Sequence, residues 1–145
     1  MVARTATRGY LLDTDTCIEI LRGNRRVIQK RRGIYADVLT SEITASELYF
    51  GAANSQDPPK HKAEVDQFLK TLPVVPIGRH GAQFFGALKA QLRRAGRLIP
   101  DADLWIASIA RALDFTVVTG NTKHLARVPR LTTCDWIRGQ EGSGE

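Results

Sequence analysis

Short apolar runs alternate with longer amphipathic segments along most of the chain. Apolar residues recur at helical spacing between the runs, for example at Phe84, Phe85, Leu88 and Leu92. The runs themselves predict β-strands at 9–13 (GYLLD), 37–40 (DVLT), 72–77 (LPVVPI), 115–119 (FTVVT) and 131–133. Strands separated by helices of ten or more residues imply parallel crossovers. We therefore predict an α/β fold in which helices flank a central parallel sheet of four to five strands.

Polar residues with capping spacing suggest where several helices begin. The pairs Thr16–Glu19 and Thr44–Glu47 both fit a capping box, and Asp101 after Pro100 fits an N-cap. The predicted helices run toward Leu21 and over 24–32, 44–53, 60–70, 84–95 and 102–113.

The length and composition indicate one globular domain. The chain has 145 residues, of which 43% are hydrophobic and 25% charged, values that are ordinary for a folded domain. We expect the domain to cover residues 9–138, between a flexible N-terminus at 1–8 and a mobile tail at 139–145. That tail (GQEGSGE) is polar and rich in glycine.

The charge balance favours a polyanionic partner. Twenty-one Lys and Arg face fifteen Asp and Glu, which gives a net charge of +6, and an excess of this kind suits nucleic acid. A generically basic protein is the alternative at this point. The positive charges do cluster, and the arginines that we select as RNA-binding candidates are Arg22, Arg25, Arg26 and Arg97.

Two features of the sequence bear on the compartment. Cys17 and Cys134 are the only cysteines, too few for a disulfide scaffold and too far apart for a zinc pair. The sequence has no apolar window of membrane-spanning length, and its start has no secretory pattern. We expect a cytoplasmic protein with reduced thiols and no membrane partner.

Carboxylates follow or flank the predicted strands. Asp13 ends the first strand, Glu47 lies early in the helix after the second, and Asp103 precedes the strand at 115–119. If the sheet is parallel, these acids converge at the carboxyl edge of the strands, where α/β sites lie. Clustered carboxylates repel one another, and Mg²⁺ or Mn²⁺ relieves that repulsion. Helix capping is the competing explanation for Glu47, and the helix dipole for Asp103.

Three segments of the chain resemble the sequence blocks of PIN-domain ribonucleases, above all the VapC-type toxins of toxin–antitoxin pairs. The segments are GYLLDTDTCIEIL, SEITASELYFGA and GRLIPDADLWIASIARALDFTVVTGNTKHLARVP. They stand in the family's order and spacing, and the likeness runs from Gly9 to Ile137. The resemblance implies a single PIN-like domain.

The resemblance also implies roles for individual residues. Asp13, Glu47 and Asp103 match the family's acidic metal ligands, and Asn121 falls where many members place a fourth acid. As an amide, Asn121 cannot add charge, although it can still contribute to catalysis through a water or a phosphate oxygen. The residues expected to support the site are Asp15, Thr14 and Thr119.

By the same resemblance, the chain is an endoribonuclease that hydrolyses RNA phosphodiester bonds with Mg²⁺ or Mn²⁺. It acts as the toxin of a type II toxin–antitoxin system, is silenced by a cognate VapB-type antitoxin and forms a homodimer.

Two alternatives to this function stay open on the sequence. The first is a non-catalytic PIN-like domain that binds RNA or a partner through an incomplete acidic site, as the amide at Asn121 suggests. The second is a receiver-like signalling domain, which also places acids at strand ends and a lysine such as Lys123 after a late strand. No middle strand here ends on aspartate, which argues against the receiver.

Overall fold

A computed structural model describes residues 7–143 of the chain, with side chains as far as Gly139. Seven helices and six strands are described, and they alternate along most of the chain. In chain order they are β1 (Gly9–Leu12), α1 (Thr14–Leu21), α2 (Arg25–Arg32), β2 (Asp37–Ser41), α3 (Glu42–Ala53), α4 (Pro58–Leu69), β3 (Val74–Val75), α5 (Gly78–Arg94), α6 (Asp101–Leu113), β4 (Thr116–Val118), α7 (Thr122–Leu125), β5 (Thr132–Asp135) and β6 (Gln140–Ser143).

The sheet has the strand order β3-β2-β1-β4-β5-β6. The first five strands are parallel to their neighbours, which confirms the predicted α/β fold and its parallel sheet. The chain builds outward from β1 to β3 and then returns to β4 on the other side of β1. The strand order therefore reverses between β1 and β4, and such a switch point is where open α/β sheets bind ligands.

Both faces of the sheet are covered by helices. Neighbouring residues of a strand point to opposite faces, and Leu11 and Leu12 of β1 accordingly enter two different cores. Leu11 packs with residues of α5 and α6, such as Leu88 and Leu104. Leu12 packs with residues of α1 to α4, such as Leu48 and Phe68. This double burial explains why β1 reads as a continuous apolar run.

The end of the chain differs from the sequence-based expectation. Residues 140–143, part of the predicted mobile tail, form β6 and pair antiparallel with β5. Alternation of polar and small residues gives such an edge strand little hydrophobic signal, so the pattern did not indicate it. The predicted flexible N-terminus lies outside the described residues except for Thr7 and Arg8.

The strand order also argues against a receiver domain. Receivers place the third strand next to the first, in the order 2-1-3-4-5, whereas β1 here lies between β2 and β4. Among the described residues, no helix is long and apolar enough to cross a membrane.

Gly9 marks a close approach at the start of β1 that we expect to be sensitive to substitution. A Cβ there would lie 2.5 Å from Cε2 of Phe115 and 2.9 Å from the carbonyl oxygen of Asp37. The Phe115 ring can yield, but the paired strand cannot move without loss of register. We predict that Gly9→Ala lowers the free energy of unfolding by about 1–3 kcal/mol, measured by urea denaturation.

Gly86 provides the matched control, since a Cβ on this helical residue meets nothing within 4 Å. Gly86→Ala is expected to leave stability unchanged or raise it by up to about 1 kcal/mol. Equal destabilisation by the two substitutions would contradict the packing explanation.

Candidate active site

The ends of β1 and β4 bring two side chains together at the switch point. Asp13 follows β1, Thr119 follows β4, and the Thr119 hydroxyl donates a hydrogen bond of 2.8 Å to Oδ2 of Asp13. The Asp13 main-chain N–H donates to the carbonyl oxygen of Val118, which continues the strand pairing up to this point. The carboxylate is thus fixed by the sheet itself, and Asp13 is only 6% exposed.

Asp13 is also the N-cap of α1. Its Oδ1 accepts a hydrogen bond of 2.8 Å from the main-chain N–H of Thr14. The helix therefore begins three residues earlier than a capping box of Thr16 and Glu19 would place it, and that prediction is wrong. A cap on Asp13 places the carboxylate at the positive end of the helix dipole, which favours its ionised form.

Burial nevertheless works against the charge on Asp13. Desolvation is the largest cause that raises the pKa of this carboxyl from 3.8 to about 7, and the charges of Asp15 and Asp103 add to it. The hydrogen bonds from Thr119 and Thr14 lower the pKa but do not cancel the effect of burial. The site therefore holds a buried carboxylate with too little compensating charge, which is the electrostatic state expected of a cation-binding group.

Asp15 lies two residues further along the chain and ties α1 to the segment after β4. Its Oδ2 accepts from the N–H of Gly120, and its Oδ1 accepts from the N–H of Thr16, both at 2.7 Å. Burial raises the pKa of Asp15 as well. These bonds hold Asp15 beside Asp13, and its supporting role in the site stays a prediction.

Asp103 approaches the same place from the first turn of α6. Its charge raises the pKa of Asp13, so the two carboxyls lie within electrostatic reach of each other. Oδ2 of Asp103 accepts a hydrogen bond of 3.4 Å from the Asn121 side-chain amide and lies 3.0 Å from Nδ1 of His124. The Asn121 side chain was expected to lie with the acids of the site. It donates to one of them, Asp103, and so orients its carboxylate.

His124 is a site residue that the sequence reasoning missed. This histidine was not among the residues selected from the sequence, because the four-residue helix α7 was not predicted. The sequence feature that indicates its place is the three-residue spacing of Asn121 and His124. This spacing is about one helical turn, so both side chains reach Asp103.

Glu47 reaches the site through a hydroxyl group. The Thr14 hydroxyl donates a hydrogen bond of 2.8 Å to Oε1 of Glu47, and it lies 3.2 Å from the hydroxyl of Thr44. Glu47 itself is exposed. The N-cap of α3 is Ser41, which accepts from the N–H of Thr44. The capping-box explanation of Glu47 is therefore wrong, since this residue lies beyond the first turn of the helix.

The N-cap assigned to Asp101 is also wrong. Pro100 occupies that position, and Asp101 is the first residue of α6. Its carboxylate pairs instead with Lys89 at 3.0 Å.

The predicted RNA-binding arginines lie in different parts of the surface. Arg97 lies in the loop between α5 and α6, and α6 is the helix that carries Asp103. Arg26 donates a hydrogen bond of 3.1 Å to the carbonyl oxygen of Arg138. Arg25 is its exposed neighbour on α2, and Arg22 caps the far end of α1, one helix length from Asp13. The RNA contacts of these arginines stay a prediction.

The carboxylates suit Mg²⁺ by chemistry and burial, although they do not form a closed cage. Within the described residues, no three His, Cys, Asp or Glu side chains converge closely enough to hold a metal ion. Mg²⁺ typically keeps several waters and takes one or two carboxylates from the protein. Asp13 and Asp103, one buried and one partly buried, meet that requirement.

Comparisons with known proteins agree with this architecture. The family model of the PIN domain matches residues 10–131. Ribonuclease VapC2 of Haemophilus influenzae is 33% identical over 129 residues, which cover 88% of this chain and 98% of that protein. The tRNA(fMet)-specific endonuclease VapC of Shigella flexneri is 31% identical over 128 residues, which cover 88% of this chain and 97% of the relative.

Solved structures give the same result. The structure of VapBC2 from Rickettsia felis, bound to a DNA fragment from its promoter, contains a chain that superposes with a TM-score of 0.84 at 27% identity. The match covers 88% of this chain and 98% of that one. A family model that matches most of the chain and relatives of about 30% identity over nearly their whole length place the chain in the PIN-domain family, among the VapC-type ribonucleases.

Proposed function

We propose that the protein is a Mg²⁺-dependent endoribonuclease that hydrolyses RNA phosphodiester bonds in the cytoplasm. The single observation that carries the proposal is the buried carboxylate of Asp13, whose pKa is raised to about 7 by burial and by the nearby charges of Asp15 and Asp103. A buried acid with this electrostatic cost is retained at a site where a cation compensates it. Mn²⁺ would suit the same oxygen ligands.

Each polar group of the site has a part in this proposal. Asp13 and Asp103 would hold the cation, with Glu47 completing the acidic set. When bound, Mg²⁺ supplies positive charge against the phosphodiester and lowers the pKa of a water. Thr119 keeps the Asp13 carboxylate in place, and Thr14 holds Glu47 toward it. Asn121 and His124 orient the carboxylate of Asp103.

The non-catalytic alternative loses its main support. It rested on the amide at Asn121, which could not supply a fourth charge. The side-chain amide of Asn121 donates a hydrogen bond to Asp103. A carboxylate at position 121 has no N–H donor and could not make this bond, so the amide has a role of its own at the site.

We propose further that the protein is the toxin of a type II toxin–antitoxin system and binds a VapB-type antitoxin. Relatives solved as VapBC complexes support this partner. An open groove of about 480 Å³ between α1 and α4, lined by apolar residues such as Ile20, Leu21 and Phe68, offers a place for it. Co-purification with the product of the neighbouring reading frame, and loss of RNA cleavage in that complex, would test the partnership. The homodimer stays a prediction, to be measured by the mass in solution.

Asp13→Asn tests the central role of this carboxylate in two ways. Without the charge, cleavage of total RNA in Mg²⁺ should fall by about 100-fold or more. The folded state binds the Asp13 proton more tightly than the unfolded state, so stability falls as pH rises from about 4 to about 7. In metal-free buffer at pH 8, Asp13→Asn should therefore be more stable than wild type by about 2 kcal/mol.

The stability measurement also separates fold from function. A variant that is inactive because it is unfolded would show the opposite change in thermal denaturation. Full cleavage by folded Asp13→Asn would overturn the proposed site.

Glu47→Gln tests whether an exposed acid belongs to the same site. We expect the variant to lose about 10-fold in cleavage rate, because it removes a charge that is bound to Thr14, the residue next to Asp13. Glu42→Gln is the matched control, since Glu42 is an exposed acid in the first turn of the same helix. It should stay within about twofold of wild type. Equal losses would mean that the charge of α3, rather than the position of Glu47, matters.

A further inference from the structure

An arginine that the sequence analysis did not select lies beside the acidic site. Arg138 follows β5 in the turn toward β6, and its Nη1 donates to the carbonyl oxygen of Gly120 at 2.9 Å. The N–H of the same glycine donates to Asp15. A Cβ on Gly120 would lie 2.8 Å from Oδ2 of Asp15 and 3.3 Å from Nη1 of Arg138. The guanidinium group of Arg138 and the carboxylate of Asp15 therefore bind the main chain of the same residue, Gly120.

A buried carboxylate holds Arg138 in this position. The side chain of Asp135 is only 1% exposed, and its Oδ2 accepts from Nη1 of Arg138 at 3.0 Å. Its Oδ1 accepts from the N–H groups of Ile137 and Arg138, at 2.8 and 2.9 Å. The turn and the guanidinium group are thus fixed by one acid, which lowers the entropic cost of binding a ligand.

The anchored arginine still presents most of its side chain to solvent. Arg138 is 60% exposed, and both of its anchoring contacts use the same nitrogen, Nη1. A guanidinium group carries five N–H donors in a planar fork that fits the oxygens of a phosphate. The other nitrogens are consequently in a position to serve an external anion.

A second arginine extends the positive surface away from the acids. Nη2 of Arg26 donates to the carbonyl oxygen of Arg138 at 3.1 Å. A chain of contacts thus leads from the carboxylates along the β5 side of the sheet toward α2. It runs through Asp15, Gly120, Arg138 and Arg26. The acids at one end of this chain of contacts suit the phosphate of an RNA strand that reacts with the help of a cation. The arginines at the other end suit the neighbouring phosphates, whose charge needs neutralisation.

We infer that Arg138 is a positioning residue that binds an RNA phosphate next to the scissile one and so holds the strand across the acidic site. The inference rests on the proposed ribonuclease function and adds to it a binding subsite at the end of β5. Arg138 acts on the backbone and not on the bases, so the contact is independent of sequence.

The test compares two substitutions that each remove one positive charge. Arg138→Gln changes the proposed subsite. Arg8→Gln changes an exposed arginine just before β1, at the amino end of that strand and therefore at the end opposite to the acids. Binding of a fluorescent single-stranded RNA is measured in EDTA over a series of salt concentrations, and cleavage kinetics are measured in Mg²⁺. Thermal denaturation of each variant gives its folded state.

We expect Arg138→Gln to raise the Kd for RNA by about 5- to 10-fold and to reduce the slope of log K against log salt by about 0.7. KM should rise in parallel, while kcat stays within about twofold of wild type. Arg8→Gln should leave these quantities within about twofold. Arg138→Lys keeps the charge and can still reach Asp135, so it should restore the salt slope and guard against misfolding of the Gln variant.

Two results would overturn the inference. One is unchanged RNA binding by folded Arg138→Gln, and the other is an equal loss in Arg8→Gln. Weaker RNA binding by Arg138→Gln combined with no cleavage by the wild-type protein would leave the subsite standing and would refute the ribonuclease function instead.

Discussion

The hydrogen bond between Thr119 and Asp13 joins the two strand ends on which the rest of the site depends. It crosses the switch point of the sheet, where β1 and β4 diverge into separate connections. Because the carboxylate also caps α1, a single side chain links two strands and a helix. The same contacts leave it buried, and burial raises its pKa to about 7. The fold thus carries an electrostatic cost at one defined point.

The residues around Asp13 do not neutralise its buried charge. Asp103, oriented by Asn121 and His124, adds a second negative charge instead of a counterion. Arg138, the nearby cation, is held by Asp135 and Gly120 at the flank of the site. A site arranged in this way keeps its carboxylates for a divalent cation and its guanidinium groups for the phosphates of a substrate. Gly120 lies between the two kinds of charge, with its N–H bound to Asp15 and its carbonyl oxygen bound to Arg138.

Much of this arrangement could be predicted from the sequence, because strand ends and helix starts leave local signals. The parallel sheet followed from apolar runs such as 115–119, and Asp13 and Asp103 followed from their places beside those runs. The capping boxes of Glu19 and Glu47 failed because two residues with the right spacing do not reveal which residue starts the helix; Asp13 and Ser41 do so here. The places of His124 and Arg138 at the site did not follow from such local signals. Asp103 and Gly120, the partners that hold them there, are brought close only by the folded chain.

The most direct test of this account is the titration of the Asp13 carboxyl group by NMR, without and with Mg²⁺. We predict a pKa near 7 in metal-free protein and a clear decrease when Mg²⁺ is added, since a bound cation favours the ionised form. A pKa near the ordinary value of 3.8 in metal-free protein, or a raised pKa that Mg²⁺ leaves unchanged, would contradict it.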